Sequence, residues 1–304
     1  SVSGGEPPND LLDQRDDLIN QLSKLINTDT VKQSDGSVNV YVGNGHAIVV
    51  GSQKLSLETI VSPDNPDNLT LGLVSANQTI QLPEDQITGG ALGGILAFRR
   101  DSLDDAQNAL GRVAMTLAQT FNEQHQLGVD LNGDMGKELF TVSSPKIISA
   151  STNNAASNIT ASISDFGALT TSDYQFSYDG TNYTLTNLSD NSSVSTAVIP
   201  SGATPLSLDG LSVTGATILP NERFLIQPTV NGAKGIAVNI TDTTEIAAAG
   251  PNRTGAASTN KGTGTISAGT VNSLPLDPNL QQPLTITFHA PYDGQYDVTG
   301  TGTG

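Results

Sequence analysis

The glycine-rich stretch ITGGALGGILAFRR, residues 87–100, is the first part of the sequence whose residue types could do chemistry. Glycines in front of a helix can bind a phosphate group through exposed backbone N–H groups. A phosphate loop also needs a following Lys–Ser or Lys–Thr pair, or the spacing G-x-G-x-x-G between a strand and a helix. Neither pattern is present, and the pair Arg99–Arg100 comes too late to replace the lysine. The stretch therefore predicts a helix start at which Gly90 and Gly94 let another backbone approach closely.

A second candidate site is DLNGDMG, residues 130–136, which alternates polar side chains as a calcium loop does. An EF-hand loop needs Gly at position 6 and a bidentate Glu at position 12. These two positions hold Met135 and Thr141. A tight Asn–Gly turn after a helix is the better interpretation, so we expect no tight calcium binding at Asp130, Asn132 and Asp134.

The remaining reactive residue types do not form a recognisable group. His46, His125 and His289 lack the spacing of a zinc site. The absence of cysteine excludes thiolate ligands, a thiol nucleophile and disulfides, and no G-x-S-x-G motif is present. We therefore predict a protein that is not an enzyme, with no catalytic residue, no cofactor and no metal ion.

Length and charge narrow the class of partner. The chain has 304 residues, more than one ordinary domain, and a formal net charge of -17. That charge repels nucleic acid and anionic membranes, and no apolar run reaches the ~18 residues of a membrane span. We expect neither as a partner. Because the chain starts without methionine and shows no signal peptide, it is expected to be a fragment or a processed product.

Two amphipathic helices are predicted to form the helical part of the fold. Residues 10–26 carry apolar side chains mostly three or four positions apart, and residues 103–121 repeat them at steps of 3, 4, 3, 4 and 4. Asp101 or Ser102 is expected to cap the second helix. We predict that this second seam is buried and that the first helix covers most of it. The predicted packing and assembly residues, besides the two glycines, are Leu11, Leu18, Leu22, Leu25, Leu103, Leu110, Val113, Leu117 and Phe121.

The rest of the chain has β patterning. Period-two alternation over residues 30–82, with turns at Asp35–Gly36 and at residues 43–45, predicts hairpins. The Ser/Thr/Asn/Ala-rich stretch from Thr141 to Ser162 predicts a flexible or extended junction. Short β segments after it predict a sandwich or barrel. The predicted fold class is α+β and multidomain: a helical domain with a β-hairpin insert at residues 1–140, an outer β domain at 141–250, and a linker with the start of a truncated β module at 251–304.

Long segments of the sequence resemble a known family. PPNDLLDQRDDLINQLSKLIN, GGALGGILAFRRDSLDDAQNALGRVAMTLAQTFNEQHQLGVDLNGDMG and NERFLIQPT resemble the flagellar hook-associated protein 1 family, the hook–filament junction proteins. The resemblance covers roughly residues 5–140 and, more loosely, 205–250. In this family the glycine-rich segment leads into the helical domain.

The resemblance implies a non-enzymatic structural subunit outside the cell, at the hook–filament junction of the bacterial flagellum. The implied partners are further copies in a ring, the hook protein, the second junction protein and a flagellar export chaperone, with export through the type III apparatus. Because the tube-forming terminal helices of the family are absent, this central fragment itself is expected to be a monomer.

An alternative from another class is an extracellular adhesin or glycan-binding protein built on the β domains. Its candidate contact residues are Tyr174, Tyr178 and Tyr183, which lie on neighbouring predicted strands.

Overall fold

The computed structural model describes residues 9–75, 78–271, 283–291 and 293–300. Contacts divide the chain into two compact units: the described residues up to Thr116 with Val142–Ile236, and Leu117–Thr141 with the described residues from Ala237 onward. This division differs from the sequential map 1–140, 141–250 and 251–304, which stays a prediction. Residues 272–282 and 301–304 of the last predicted domain lie outside the described residues.

The longest helical stretch runs without a break from Gly90 to Gln126, because a π-helical segment, Arg99–Asp104, joins two α-helices. The backbone keeps helical dihedral angles at both ends of this segment, and no side chain caps it. The predicted cap at Asp101 or Ser102 is therefore wrong, since there is no helix start at this point. The α-helices are α1 (Asn9–Leu25), α2 (Gly90–Phe98), α3 (Asp105–Gln126) and the short α4 (Gly232–Gly235).

All paired strands of the described residues run antiparallel. In chain order the strands are β1 (Thr28–Lys32), β2 (Val38–Val42), β3 (His46–Val50), β4 (Gln53–Lys54), β5 (Ser56–Val61), β6 (Leu69–Ser75), β7 (Gln78–Leu82), β8 (Phe140–Thr141), β9 (Lys146–Ser149), β10 (Asn158–Ile163), β11 (Tyr174–Tyr178), β12 (Tyr183–Asn187), β13 (Ser193–Thr196), β14 (Leu206–Leu208), β15 (Leu211–Thr217), β16 (Glu222–Gln227), β17 (Ala237–Val238), β18 (Thr285–Phe288) and β19 (Tyr296–Thr299).

The β insert of the first unit has two small sheets, β1-β2-β3-β4 and β5-β6-β7. The predicted turn at Asp35–Gly36 is present: Gly36 has a φ of +85°, and the Asp35 carboxylate accepts a hydrogen bond from the Ser37 amide at 2.9 Å. One face of α1 and part of α2 pack against these sheets. Their shared core consists of Ile26, Val40, Val42, Ile48, Leu73, Leu82 and Ile87, with Ile19, Leu22, Leu92 and Leu96 partly buried around it.

The outer β region of the first unit is a two-layer sandwich, as the alternating pattern predicts. A five-stranded sheet, β13-β12-β11-β16-β9, faces a three-stranded sheet, β10-β15-β14. Inward-facing side chains from both sheets form one core. That core consists of Ile159, Ala161, Tyr174, Phe176, Tyr183, Leu185, Leu206, Leu211, Val213, Phe224 and Ile226. The predicted α+β multidomain class is confirmed.

The stretch from Thr141 to Ser162 is not the flexible junction that its composition predicts. Residues 146–149 form β9 at an edge of the five-stranded sheet, and most of β10 lies within the same stretch. The Lys146 ammonium also contacts Asp67 at 2.7 Å, and the Ser151 amide donates to the Pro63 carbonyl at 2.8 Å. The composition predicts poor packing, but Ile159 and Ala161 lie in the sandwich core with Ile147 packed against it, and the small polar residues between them pair through their backbones.

The buried carboxylate of Glu222 binds backbone amides at one end of the sandwich, which predicts that the stability of the fold depends on pH. Its buried carboxylate accepts hydrogen bonds from the Asn154 and Leu219 amides, each at 2.6 Å. Burial works to raise the pKa of Glu222, but the nearby Ser157 hydroxyl dipole and the two amide donors outweigh burial and lower the pKa below its usual value. The charged form thus stabilises the fold above the ordinary carboxyl pKa, and the stabilisation is lost as pH falls through the lowered pKa.

Glu222→Gln should therefore lower the free energy of unfolding by about 1–3 kcal/mol at pH 7, because one acceptor oxygen and the charge are lost. The difference from the unsubstituted chain should shrink when urea denaturation is repeated below the ordinary carboxyl pKa. Glu58→Gln, the same chemical change at an exposed position of β5, is the control and should change stability little at either pH. A difference that stays constant across this pH range would contradict the assignment.

Candidate functional site: the apolar stripe of the long helix

The glycine-rich start of α2 packs against the end of α1. Gly90 has a φ of +62°, and a Cβ placed on it would lie 2.6 Å from the Ile26 amide nitrogen. No L-residue with a side chain fits such a position without moving the backbone. Gly94 differs from the expectation, because a Cβ there would have no neighbour within 4 Å. Close packing is thus a property of Gly90 and not of Gly94.

Two seams run along α3, and the buried one is not the seam that the sequence predicts. The buried positions repeat at steps of three and four residues, and most of them are small or polar. They are Asn108, Gly111, Met115, Ala118, Asn122 and His125.

The predicted seam forms an apolar stripe whose side chains are between 50 and 66 % exposed. The stripe consists of Leu103, Leu110, Val113, Leu117 and Phe121. The expectation of a buried apolar seam is therefore wrong for this chain.

In the first unit the buried seam contacts the turn before α4. A Cβ on Gly111 would lie 1.8 Å from the Thr229 carbonyl oxygen, and one on Gly232 would lie 2.4 Å from the Gly111 carbonyl oxygen. The Gln107 side chain adds a hydrogen bond of 2.9 Å to the Val230 carbonyl. Backbone meets backbone here, which explains why this face of α3 carries glycine where an apolar side chain would be usual.

In the second unit the buried seam binds backbone groups through polar side chains. Asn122 donates to the Phe140 carbonyl and accepts from the Phe140 amide, both at 2.8 Å. His125 binds the Lys137 carbonyl and the Ala247 amide, at 2.6 and 2.8 Å. These contacts satisfy backbone groups of the loop after α3 and of the later segment at Ala247, which explains why polar residues lie inside. In the sequence, only their spacing indicates that these polar residues are buried: Asn108, Asn122 and His125 fall on one helix face at three- and four-residue steps.

The first helix does not cover the stripe as predicted. Leu11, Leu18 and Leu25 are each more than 60 % exposed, whereas Leu22 is partly buried against the β insert. Ile95 and Phe98 of α2 are similarly exposed. The expectation that the isolated chain is a monomer stays a prediction, and the uncovered stripe argues against it because exposed apolar stripes favour association.

The histidines and the acidic turn have structural partners. Asp130 accepts hydrogen bonds from the amides of Asn132 and Asp134, as an Asx turn does. His46 contacts the Gln86 side chain at 3.0 Å, and His289 contacts Asp293 at 2.9 Å. Over the residues that the structure describes, no group of three His, Cys, Asp or Glu side chains is placed to hold a metal ion. In the same described part of the chain, no helix has both the length and the apolar character that crossing a membrane requires.

The tyrosines suggested for glycan binding belong to the core of the sandwich. Tyr174 and Tyr183 are buried, and the ring of Tyr178 stacks on Tyr183 with centroids 4.2 Å apart. The Tyr174 hydroxyl also donates to Asp209 at 3.0 Å. Burial raises the pKa of Tyr174 to about 12. Rings that fill a core are not available as platforms for a sugar, so nothing here supports the adhesin alternative.

An exposed apolar stripe opposite a polar buried seam is typical of a subunit that packs its helices against further protein. Comparisons with known proteins support this class of protein. The model of the flagellar hook-associated protein FlgK helical domain matches residues 1–140, and the model of the flagellar hook-associated protein 1, D2-like domain, matches residues 148–228. The chain belongs to the flagellar hook-associated protein 1 family.

Individual relatives show the same similarity. Flagellar hook-associated protein 1 of Salmonella typhimurium is 36 % identical over 251 residues, which are 82 % of this chain and 45 % of that protein. The Escherichia coli K12 protein is 34 % identical over 250 residues, with the same coverage of 82 % and 45 %. The structure of the flagellar hook junction protein FlgK from Burkholderia pseudomallei matches with a TM-score of 0.81 and 35 % identity, over 93 % of this chain and 52 % of that one. The chain thus spans about half the length of the relatives it matches.

Proposed function

We propose that this chain serves in a non-enzymatic structural subunit of the bacterial flagellum that joins hook to filament in a ring outside the cell. Family membership supports the class of protein. The single observation in this chain that carries the proposal is the exposed stripe of Leu103, Leu110, Val113, Leu117 and Phe121. It has the three- and four-residue spacing with which helices pack along one another.

The proposed occupant of the stripe is a helical segment of the longer protein. The relatives are about twice as long as the matched region, and the matching family model for residues 1–140 describes a helical domain. A second helix laid on the stripe would cover the exposed part of five large apolar side chains, each 50–66 % exposed, and would contribute roughly 1–2 kcal/mol for each. Leu11, Leu18 and Leu25 would extend the contact area on α1, with Gly90 holding the start of α2 against the end of α1.

The proposed partners follow from this role. Further copies of the subunit complete the ring, and the hook protein and the second junction protein bind on its two sides. A flagellar export chaperone keeps the apolar stripe covered before assembly, and export through the type III apparatus precedes assembly. No reaction is assigned to the chain.

A charge in the stripe tests the proposal. Val113→Glu in the full-length subunit should abolish swimming in a strain that lacks its own copy, because a carboxylate would be buried in a helix contact. In the isolated chain the same substitution should change the free energy of unfolding by less than about 1 kcal/mol, since Val113 is exposed there. Motility plates and urea denaturation give the two measurements.

Arg112→Glu is the control, because Arg112 is exposed on the same helix but lies about 100° around the helix axis from Val113, away from the stripe. It should leave swimming and stability near the unsubstituted level. Normal swimming with Val113→Glu, or an equal loss with both substitutions, would reject the stripe as an assembly contact.

A further inference from the structure

The π-helical segment Arg99–Asp104 sets the rotation of α2 relative to α3. Successive side chains of an α-helix lie about 100° apart around its axis. Hydrogen bonds of a π-helix span five residues instead of four, so one π turn takes up about one extra residue. Side chains before the segment are therefore rotated by about 100° from the positions that an uninterrupted α-helix would give them.

This rotation brings the exposed face of α2 into line with the apolar stripe. Ile95 and Phe98 are 65 and 64 % exposed. With one extra residue counted, Ile95 and Phe98 lie about 100° and 40° around the helix axis from Val113. On the same scale, Leu110 and Leu117 of the stripe lie at about 60° and 40°. An uninterrupted α-helix would instead place Phe98 at about −60°, outside the stripe.

The buried face of the same helical stretch shows the same rotation. Leu92 and Leu96 of α2 are partly buried against the core of the β insert, whereas Gly111 and Met115 of α3 are buried. With the extra residue counted, Leu92 and Leu96 lie about 160° and 200° from Val113, and Gly111 and Met115 lie at the same angles. Without it, Leu92 and Leu96 would lie at about 60° and 100°, on the side of the stripe. One side of the stretch is thus buried, and a second side is exposed, through both α-helices.

Core packing does not account for the π segment, because none of its residues is buried. Arg99 pairs with Glu84 in the short 3₁₀ helix after the β insert, and Arg100 pairs with Asp101 at 2.6 Å. Both pairs are partly exposed to solvent. Because π turns are rare and frequently lie at functional sites, we attribute this one to the alignment of the exposed apolar side chains.

We propose that the π segment joins Ile95, Phe98 and the stripe into one docking surface for a single straight helix of the longer protein. This inference rests on the proposed function, because it takes the occupant of the stripe from there. From Ile95 to Phe121 the surface spans about 40 Å, so the bound helix needs about 26 residues to cover it. The relatives are about twice as long as the region they share with this chain, which leaves room for such a helix. A shorter or bent helix would cover α3 and leave α2 exposed.

Single cysteines test the surface, because this chain has none of its own. Phe98→Cys and Val113→Cys are labelled with a maleimide in the isolated chain and in the full-length subunit within assembled flagella. Both should react at least tenfold more slowly in the assembly, since one helix covers both positions. Val198→Cys, at a position of the sandwich that is 67 % exposed, is the control and should react alike in both states. Protection of Val113→Cys without protection of Phe98→Cys would overturn this inference and leave the proposed function standing, whereas protection of neither would overturn both.

The role of the extra residue is tested by removing it. Ser102 is an exposed residue of the π segment. Deletion of Ser102 in the full-length subunit should abolish swimming, because α2 and α3 then lose their common phase, whereas Ser102→Ala keeps the residue count and should swim normally. Normal swimming of the deletion variant would overturn the alignment. If urea denaturation shows that the deletion unfolds the isolated chain, the labelling of Phe98→Cys decides the proposal.

Discussion

Gly111→Ala should lower the free energy of unfolding of the first unit by about 3 kcal/mol, as measured by urea denaturation. The added methyl group would lie 1.8 Å from the Thr229 carbonyl oxygen, and both partners are backbone rather than flexible side chain. Relief requires α3 to move away from the turn at residues 229–232, which also strains the Gln107 hydrogen bond to Val230. Overpacking that displaces backbone costs about 1–3 kcal/mol and occasionally more.

Gly94→Ala is the matched control, because it makes the same chemical change in the same helical stretch. A Cβ at Gly94 has no neighbour within 4 Å. Alanine has the higher helix propensity, so this variant should be stabilised by roughly 0.5–1 kcal/mol. The two substitutions are expected to change the free energy of unfolding in opposite directions. Equal effects would show that Gly111 is not in contact with Thr229.

Phe176→Ala should destabilise the sandwich by about 3–5 kcal/mol, the usual cost of removing a fully buried aromatic ring. Phe176 is 0 % exposed and lies on β11, the central strand of the five-stranded sheet. Its ring packs near Tyr183, with centroids 6.2 Å apart. The cavity would open between two sheets that are held by strand pairing on both sides, so the surroundings can collapse only partly.

Phe98→Ala makes the same change at an exposed position and is the control. Phe98 is 64 % exposed on α2, and its removal should change the free energy of unfolding of the isolated chain by less than about 1 kcal/mol. Urea denaturation followed by tyrosine fluorescence gives the measurement, because three of the six tyrosines, Tyr174, Tyr178 and Tyr183, lie in the sandwich. A small loss with Phe176→Ala would contradict the burial of the sandwich core, and a large loss with Phe98→Ala would contradict the exposure of this face of α2.

Much of the local structure could be predicted from the sequence. The period-two alternation in DYQFSYDG and TNYTLTN predicts two short β segments, and the structure forms β11 and β12 there. The Asp35–Gly36 turn follows from the ability of glycine to take a positive φ. The absence of cysteine excludes disulfides, thiolate ligands and a thiol nucleophile. The family, too, could be recognised from its long helical segments.

The sequence did not decide which face of α3 is inside. Its apolar seam has the pattern of a buried contact, and by itself that pattern does not say whether the partner lies in this chain or outside it. Only the tertiary structure shows that Gly111, Asn122 and His125 are buried, because their partners, Thr229, Phe140 and Ala247, are distant in sequence. Composition likewise failed at residues 146–149, where pairing with β16 places a strand inside a stretch that is mostly Ser, Thr, Asn and Ala. Local patterns determine which elements form, whereas long-range backbone contacts determine which of their faces stay exposed.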